Sequence, residues 1–146
     1  MKSDADDYTI DDFKRDKIEP WTGVRNFQAR NFMRDSMRKG DGVIFYESDG
    51  KPSGATGIGK VVSSSYPDPS QFNKKSKYYD PKANKEKPIW FLVDVGFVKK
   101  LKRVISIDEM RKNKNLEEMI MLKPGSRLSI TPLAGSEFKE ILRLGS

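Results

Sequence analysis

The sequence predicts an α+β domain, a small curved β-sheet or barrel with short flanking helices. Three observations lead there. Segments such as "GVIFYES" and "IWFLVDVGFV" are rich in β-branched and aromatic residues, as strands are, whereas Ala29, Phe32, Met33 and Met37 share one helical stripe. Strands and helices follow one another without the regular alternation that builds a parallel sheet. At 146 residues, with no internal repeat, the chain has the size of one domain, and a single domain over residues 1–146 is expected.

Taken in order, Thr9 and Asp12 have the spacing of a capping box. They open a short helix, Ile10 to Asp16, with Ile10 and Phe13 facing the core, and Pro20 closes it. A second helix spans Asn26 to Met37, with Asn26, Arg30, Arg34 and Arg38 on its outer ridge; Lys39-Gly40-Asp41-Gly42 terminates it. Strands follow at Val43 to Ser48 and, after the turn "DGKPSG", at Ala55 to Ser63. The loop from Tyr66 to Pro88 is long for a compact domain, a sign of function or disorder. Ile89 to Val98 is the strongest strand pattern and is expected at the sheet centre. Ser106 and Glu109 form a second capping box for a helix ending near Lys112, and Leu116 to Leu122 gives another short helix. "SRLSITPL" reads as a late strand, and Ser136 as the cap of a final amphipathic helix, Glu137 to Leu144.

Composition narrows the chemistry. Cysteine and histidine are both absent, which removes disulfides, thiolate nucleophiles, Cys/His zinc sites and an imidazole base. No carboxylate cluster has calcium-loop spacing, so no metal and no cofactor are expected. No run approaches the ~20 apolar residues of a membrane span. The N-terminus lacks an apolar signal core, so the expectation is a cytoplasmic protein, without membrane attachment and monomeric.

The net charge of +7 is unevenly spread. Residues 1–20 carry four Lys/Arg against seven Asp/Glu, and residues 21–146 carry 24 against 14. A basic body attracts polyanions, nucleic acid above all. The stretch "NKKSKYYDPKANKEKP" holds six Lys beside Tyr78 and Tyr79. Lys74, Lys75 and Lys77 suit phosphate contact, with the tyrosines for base stacking; a solvated loop whose tyrosines pack on the sheet fits the same residues.

Two tempting motifs fail. "GATGIGK" has the spacing of a phosphate-binding loop, but Val61 stands where Ser or Thr should hold Mg²⁺, and a strand follows rather than a helix. Gly57 and Gly59 fit a bent strand with close backbone approach better. The pairs Asp11-Asp12 and Glu117-Glu118 diverge on a helix and suit its first turn.

"EPWTGVRNFQARNFMRD", Glu19 to Asp35, is different. Trp21 lies at a glycine-containing turn, and Arg25, Asn26, Gln28 and Asn31 are donors and acceptors of the kind that read base edges. A core Trp with Arg30 and Arg34 on a solvated ridge fits as well.

With "PWTGVRNFQARNFMRD", "KGDGVIFYES", "TGIGKVV", "SYPDPSQF", "SKYYDP" and "WFLVDVGFV" in order, the sequence resembles the EVE domain family of the PUA-like superfamily over nearly its whole length. The resemblance implies a barrel-like sheet with one pocket for a flipped-out modified base, similar to the YTH readers of methylated adenine. It implies Trp21 as the first cage wall, Ser3 lining the pocket, Asn26 on the base edge, and Arg25 on phosphate or bracing the wall. Tyr46 and Tyr79 are the candidates for the other walls, and Arg30 with Lys74, Lys75 and Lys77 for the backbone. Family members enter Lys-Ser from an apolar strand, whereas Met1 directly precedes Lys2 here, and Asp4-Ala5 replaces the usual Glu-Pro. Either the start is placed late or the first strand is a stub with an exposed edge beside the pocket.

The function expected is a non-enzymatic reader of a modified base in DNA or RNA. Two other readings stay open. A small PUA-like amidohydrolase of modified nucleosides would use Lys2 as base with Asp4 or Asp94 assisting. A protein-interaction module would dock an acidic partner on the basic loop.

Overall fold

A computed structural model describes residues 1–125 and 128–146. Its strands are β1 Lys2–Asp4, β2 Ile18–Pro20, β3 Gly42–Ser48, β4 Gly54–Val61, β5 Tyr66–Pro67, β6 Phe91–Leu92 and β7 Asp94–Ser106. Its helices are α1 Ile10–Asp16, α2 Phe27–Asn31, α3 Ile107–Lys112 and α4 Gly135–Leu144. The main sheet has the order β1-β3-β4-β7-β2, parallel between β1 and β3 and antiparallel elsewhere; β5 and β6 form a separate ribbon. Among the described residues no helix is long and apolar enough to cross a membrane.

The sheet curves without closing, so β1 and β2 remain its two edges. Register shifts in β3 after Phe45 and in β4 around Gly57 and Gly59 supply the bend. A Cβ at Gly57 would lie 2.0 Å from Ile10 Cδ1, so this helix contact needs glycine. "GATGIGK" is therefore the bent strand anticipated for it.

Alternation along β3 divides the core. Val43 and Phe45 face one cluster with Ile10, Phe13, Trp21, Met33 and Val95. Ile44 and Tyr46 face the other with Ile58, Leu101, Ile105, Met110 and Ile141. Burial of a large apolar side chain is worth about 1.5–3 kcal/mol, and these two clusters hold the helices on either face.

Several elements follow the sequence reading closely. Thr9 Oγ1 accepts the Asp12 N–H and Asp12 returns the bond to the Thr9 N–H at 2.9 Å. Asn26 caps α2, accepting from the Ala29 N–H at 3.0 Å, and the helix widens into a π turn, Phe32–Ser36. Ser106 Oγ accepts the Glu109 N–H, but the Glu109 carboxylate turns outward to Arg103, so only half of that box forms.

Others differ. The strand expected over Ile89–Val98 breaks at Val93, whose carbonyl accepts the Trp21 N–H at 3.0 Å. Phe91–Leu92 joins the small ribbon, while β7 runs on to Ser106 and β4, not β7, is central. Leu101 and Ile105 are the buried positions of that extension among exposed basic residues. Leu116 to Leu122 is two 3-10 turns, Lys114–Leu116 and Ile120–Leu122, separated where Met119 takes an extended conformation. Of the late strand, Ser126 and Arg127 lie outside the described residues; 128–133 form no strand of the sheet, bend at Ser129 and touch β1 through the Lys2 N–H and Ser129 carbonyl. Pro132 has no N–H to give a ladder. Ser136 lies inside the first turn of α4; the cap is Ala134, whose N–H Glu137 accepts at 2.8 Å. The long loop is stapled: Gln71, fully buried, accepts the Ile89 and Trp90 N–H groups and donates to the Trp90 and Asp68 carbonyls.

Candidate functional site

Because the sheet stays open, a gap remains where its edges approach, and a cavity of about 320 Å³ occupies it. One wall is β1, with Lys2, Ser3 and Asp4; the opposite wall is β2 and the turn after it, with Glu19, Pro20, Trp21 and Thr22. Asp7, Tyr8 and, from the long loop, Tyr78 complete it. The volume is at the small end of the ~300–1,000 Å³ typical of ligand pockets.

Trp21 is anchored by its backbone bond to Val93 and by an edge-on contact with Phe45, ring centroids 6.0 Å apart at 86°. Among the described residues its indole N–H has no acceptor. Ser3 Oγ donates to the Tyr8 carbonyl at 2.8 Å, tying β1 to the segment before α1. The Tyr8 hydroxyl donates to Asp16 at 2.9 Å; burial, that bond and the nearby Glu19 charge push its pKa far above the ordinary phenol value. Burial raises the Glu19 carboxyl and lowers the Lys2 ammonium. The cavity thus combines an aromatic wall with three carboxylates and one ammonium.

Behind the wall lies a polar brace. Arg25 donates to the Tyr78 carbonyl at 2.8 Å, to Ser70 Oγ at 3.0 Å and to Asp68 Oδ2 at 3.2 Å. Its guanidinium carbon sits 5.4 Å from the Tyr78 ring centroid and 5.2 Å from that of Trp90, within cation–π range. Asp68 also accepts the Gly23 N–H at 2.9 Å. Gly23 has φ +85° and a Cβ there would come within 2.5 Å of the Tyr78 ring, so the Trp21-Thr22-Gly23 turn and Tyr78 can meet only with glycine.

Of the residues expected in a base pocket, Trp21 and Ser3 line this cavity together. Arg25 stands behind it, in the bracing position. Asn26 does not reach it, because its side chain caps α2. Tyr46 faces the other core cluster, since alternation along β3 turns it away from Phe45 and Trp21. Tyr79 is replaced at the lining by its neighbour Tyr78. Arg30 spends its guanidinium on the Ile89 carbonyl at 2.8 Å and on Asn31. Lys74, Lys75 and Lys77 are exposed, and Lys77 Nζ lies 5.1 Å from the Tyr78 ring, at the side of the cavity. Glu19 and Tyr8 escaped the sequence reading, and Tyr78 entered it as a stacking candidate on the loop but not as a pocket wall; neither "DDY" nor "SKYYD" has a period that would place its tyrosines. A larger groove of about 460 Å³, between Phe32, Met37 and Phe138, is mainly apolar and lies apart from this constellation.

The EVE domain model matches residues 1–144. Thymocyte nuclear protein 1 of Gallus gallus is 40% identical over 146 residues, covering 94% of this chain and 60% of its own length. The Homo sapiens protein of the same name is 38% identical, covering 94% of this chain and 64% of its own. The chain thus spans about three fifths of the length of these curated relatives. A Pseudomonas syringae crystal structure superposes with TM-score 0.94 at 40% identity, covering 100% of this chain and 97% of that one. The crystal structure of human THYN1 protein in complex with 5-methylcytosine-containing DNA superposes with TM-score 0.90 at 36% identity, covering 99% and 95%. The motif run, the open curved sheet and these matches agree, and the chain belongs to the EVE domain family.

Proposed function

We propose that this chain binds DNA carrying a modified base, taking the base out of the helix into the cavity between β1 and β2. One observation carries the reading: Trp21 lines a cavity of about 320 Å³ together with Tyr8, Tyr78 and several polar and charged residues. The DNA complex of the human relative supports the ligand class, a 5-methylated cytosine. Stacking on Trp21 supplies sequence-tolerant affinity, about 1–3 kcal/mol per base. Lys74, Lys75 and Lys77 hold phosphates next to Tyr78 at the cavity side. The protein acts as a monomeric binding module without catalysis.

The test is a fluorescence-anisotropy panel at fixed salt. Matched oligonucleotides carry cytosine, 5-methylcytosine, 5-hydroxymethylcytosine, adenine or N6-methyladenine, each as DNA and as RNA. Tighter binding of 5-methylcytosine DNA than of its unmodified counterpart is the expected result. Equal affinity across the panel would end the proposal.

A second reading has one observation in its favour. Lys2 lines the same cavity, and its burial lowers the ammonium pKa, which is what a lysine base requires. Turnover of acylated nucleosides that disappears in Lys2→Ala would replace the reader with a hydrolase.

A further inference from the structure

The cavity is lined unequally in hydrogen-bonding type, and that inequality selects among bases. Asp4, Asp7 and Glu19 are acceptors when ionised, with no donor capacity. They are not equally free. Asp4 Oδ1 already accepts the Asp6 N–H at 2.8 Å, and Asp7 is exposed to water. Tyr8 has committed its hydroxyl to Asp16. Glu19 is half-buried, lies on β2 two residues before Trp21, and among the described residues has as its neighbouring side-chain donor only that Tyr8 hydroxyl, which it must share with Asp16. A half-buried carboxylate that shares one donor with a second carboxylate keeps acceptor capacity unmet, which is costly, and a ligand donor relieves that cost.

Resting on the base-pocket reading above, we infer that Glu19 is the specificity-determining residue of the cavity. Its carboxylate accepts the exocyclic amine of a flipped cytosine and disfavours a keto base such as thymine. 5-Methylcytosine and thymine carry the same ring methyl. They differ at position 4, where an amine donor becomes a carbonyl acceptor, and at N3. Facing a carboxylate, the amine is complementary and the carbonyl is repelled. Stacking on Trp21 cannot make this distinction, because both rings offer a similar face. The acceptor wall and the aromatic wall therefore have separate tasks: one chooses the edge, the other holds the ring.

The experiment uses two oligonucleotides, identical except for one 5-methylcytosine or one thymine. Each base is set opposite an abasic position, so that pairing strength does not bias extrusion. The full chain should bind the 5-methylcytosine form about tenfold more tightly, as expected of a well-matched base contact. Glu19→Leu should bring the two affinities within about twofold by weakening the 5-methylcytosine complex. Glu19→Gln should do so differently: an amide offers both a donor and an acceptor, so thymine binding rises while 5-methylcytosine binding is kept. Thermal unfolding of both variants followed by circular dichroism checks that the fold is intact, and the Gln variant preserves side-chain shape. An undiminished preference in Glu19→Leu overturns the assignment. If Trp21→Leu weakens both oligonucleotides while Glu19→Leu leaves their ratio alone, the cavity holds bases and Glu19 does not read them. If Trp21→Leu changes neither, the cavity is not the base site and both readings fall.

Discussion

Trp90 donates its indole N–H to Asp80 at 2.8 Å and stacks on Phe27 with ring centroids 4.8 Å apart. It also lies beneath the guanidinium groups of Arg25 and Arg30, at 5.2 and 5.9 Å. Among the described residues Trp21 has a single aromatic neighbour, Phe45, meeting it edge-on, and an indole N–H without an acceptor. Their residual exposures, 6% and 9%, hardly differ. Burial therefore does not separate the two tryptophans. Completeness of bonding does: Trp90 has its N–H bonded and its ring stacked within the protein, whereas Trp21 lines a cavity with no acceptor for its N–H among the described residues.

The largest effect should come from breaking the completed side. Trp90→Ala removes the Phe27 stack, two cation–π contacts and the Asp80 bond, and truncations of this kind cost about 3–5 kcal/mol. Urea unfolding should show that loss. If Trp90→Ala proved no more destabilising than Trp21→Leu, the contrast between the two sites would collapse.

Asp68 links the two regions, since it holds the turn after Trp21 through Gly23 and the brace through Arg25. Burial works against its ionisation, but the bonds from Ser70, the Gly23 N–H and Arg25 prevail and hold its carboxyl below the usual range. A group with a depressed folded pKa contributes stability above its unfolded pKa, about 3.9, and loses it as pH falls through the folded value. Asp68→Asn should therefore cost about 1–3 kcal/mol near neutrality. The gap to wild type should narrow as the pH of the urea series is lowered from about 5 toward about 2. A gap that stayed constant would mean that the Asp68 charge is not what holds the turn.

Trp21→Leu sharpens the comparison from the other side. Leu fills part of the space against Phe45 but offers no π-face, so affinity for 5-methylcytosine DNA should fall by about tenfold or more. The fall should appear in anisotropy titrations at temperatures where the variant remains folded. Its stability loss should be smaller than that of Trp90→Ala.

The contrast between the two tryptophans also marks where sequence ceases to be informative. Local signals were legible: the Thr9–Asp12 box, the buried stripe through Ala29 and Met33, and the glycine-bent β4 all depend on neighbours within a few residues. Trp21 and Ser3, assigned to one pocket only through the family resemblance, do line the same cavity. Tyr46 was not legible, because Val43 through Tyr46 are buried on both faces of the sheet and leave no polar alternation from which to read direction. The choice of Tyr78 over Tyr79 rests on a loop without a period, fixed by Gln71 and Arg25 contacts far away in sequence. Glu19 was hidden for a related reason. The role inferred for it depends on β1 and β2 being the two edges of one curved sheet, and strand order is a property of the whole fold.

Lys77 gives the smallest effect and separates affinity from recognition. Its ammonium lies 5.1 Å from the Tyr78 ring centroid yet stays exposed, so it touches the cavity wall without closing it. A phosphate contact at such a place contributes through counterion release, about 0.9 in the slope of log affinity against log salt for each phosphate on duplex DNA. Lys77→Ala should reduce that slope by about 0.9 or less. It should weaken methylated and unmethylated oligonucleotides by the same factor, because phosphates carry no base identity. Titrations from about 50 to about 200 mM salt measure the slope directly. A change in the ratio of methylated to unmethylated binding would instead place Lys77 in base recognition, acting through Tyr78. The open wall would then extend past Trp21 onto the long loop, and Tyr78 would have to be counted as a second ring in contact with the base.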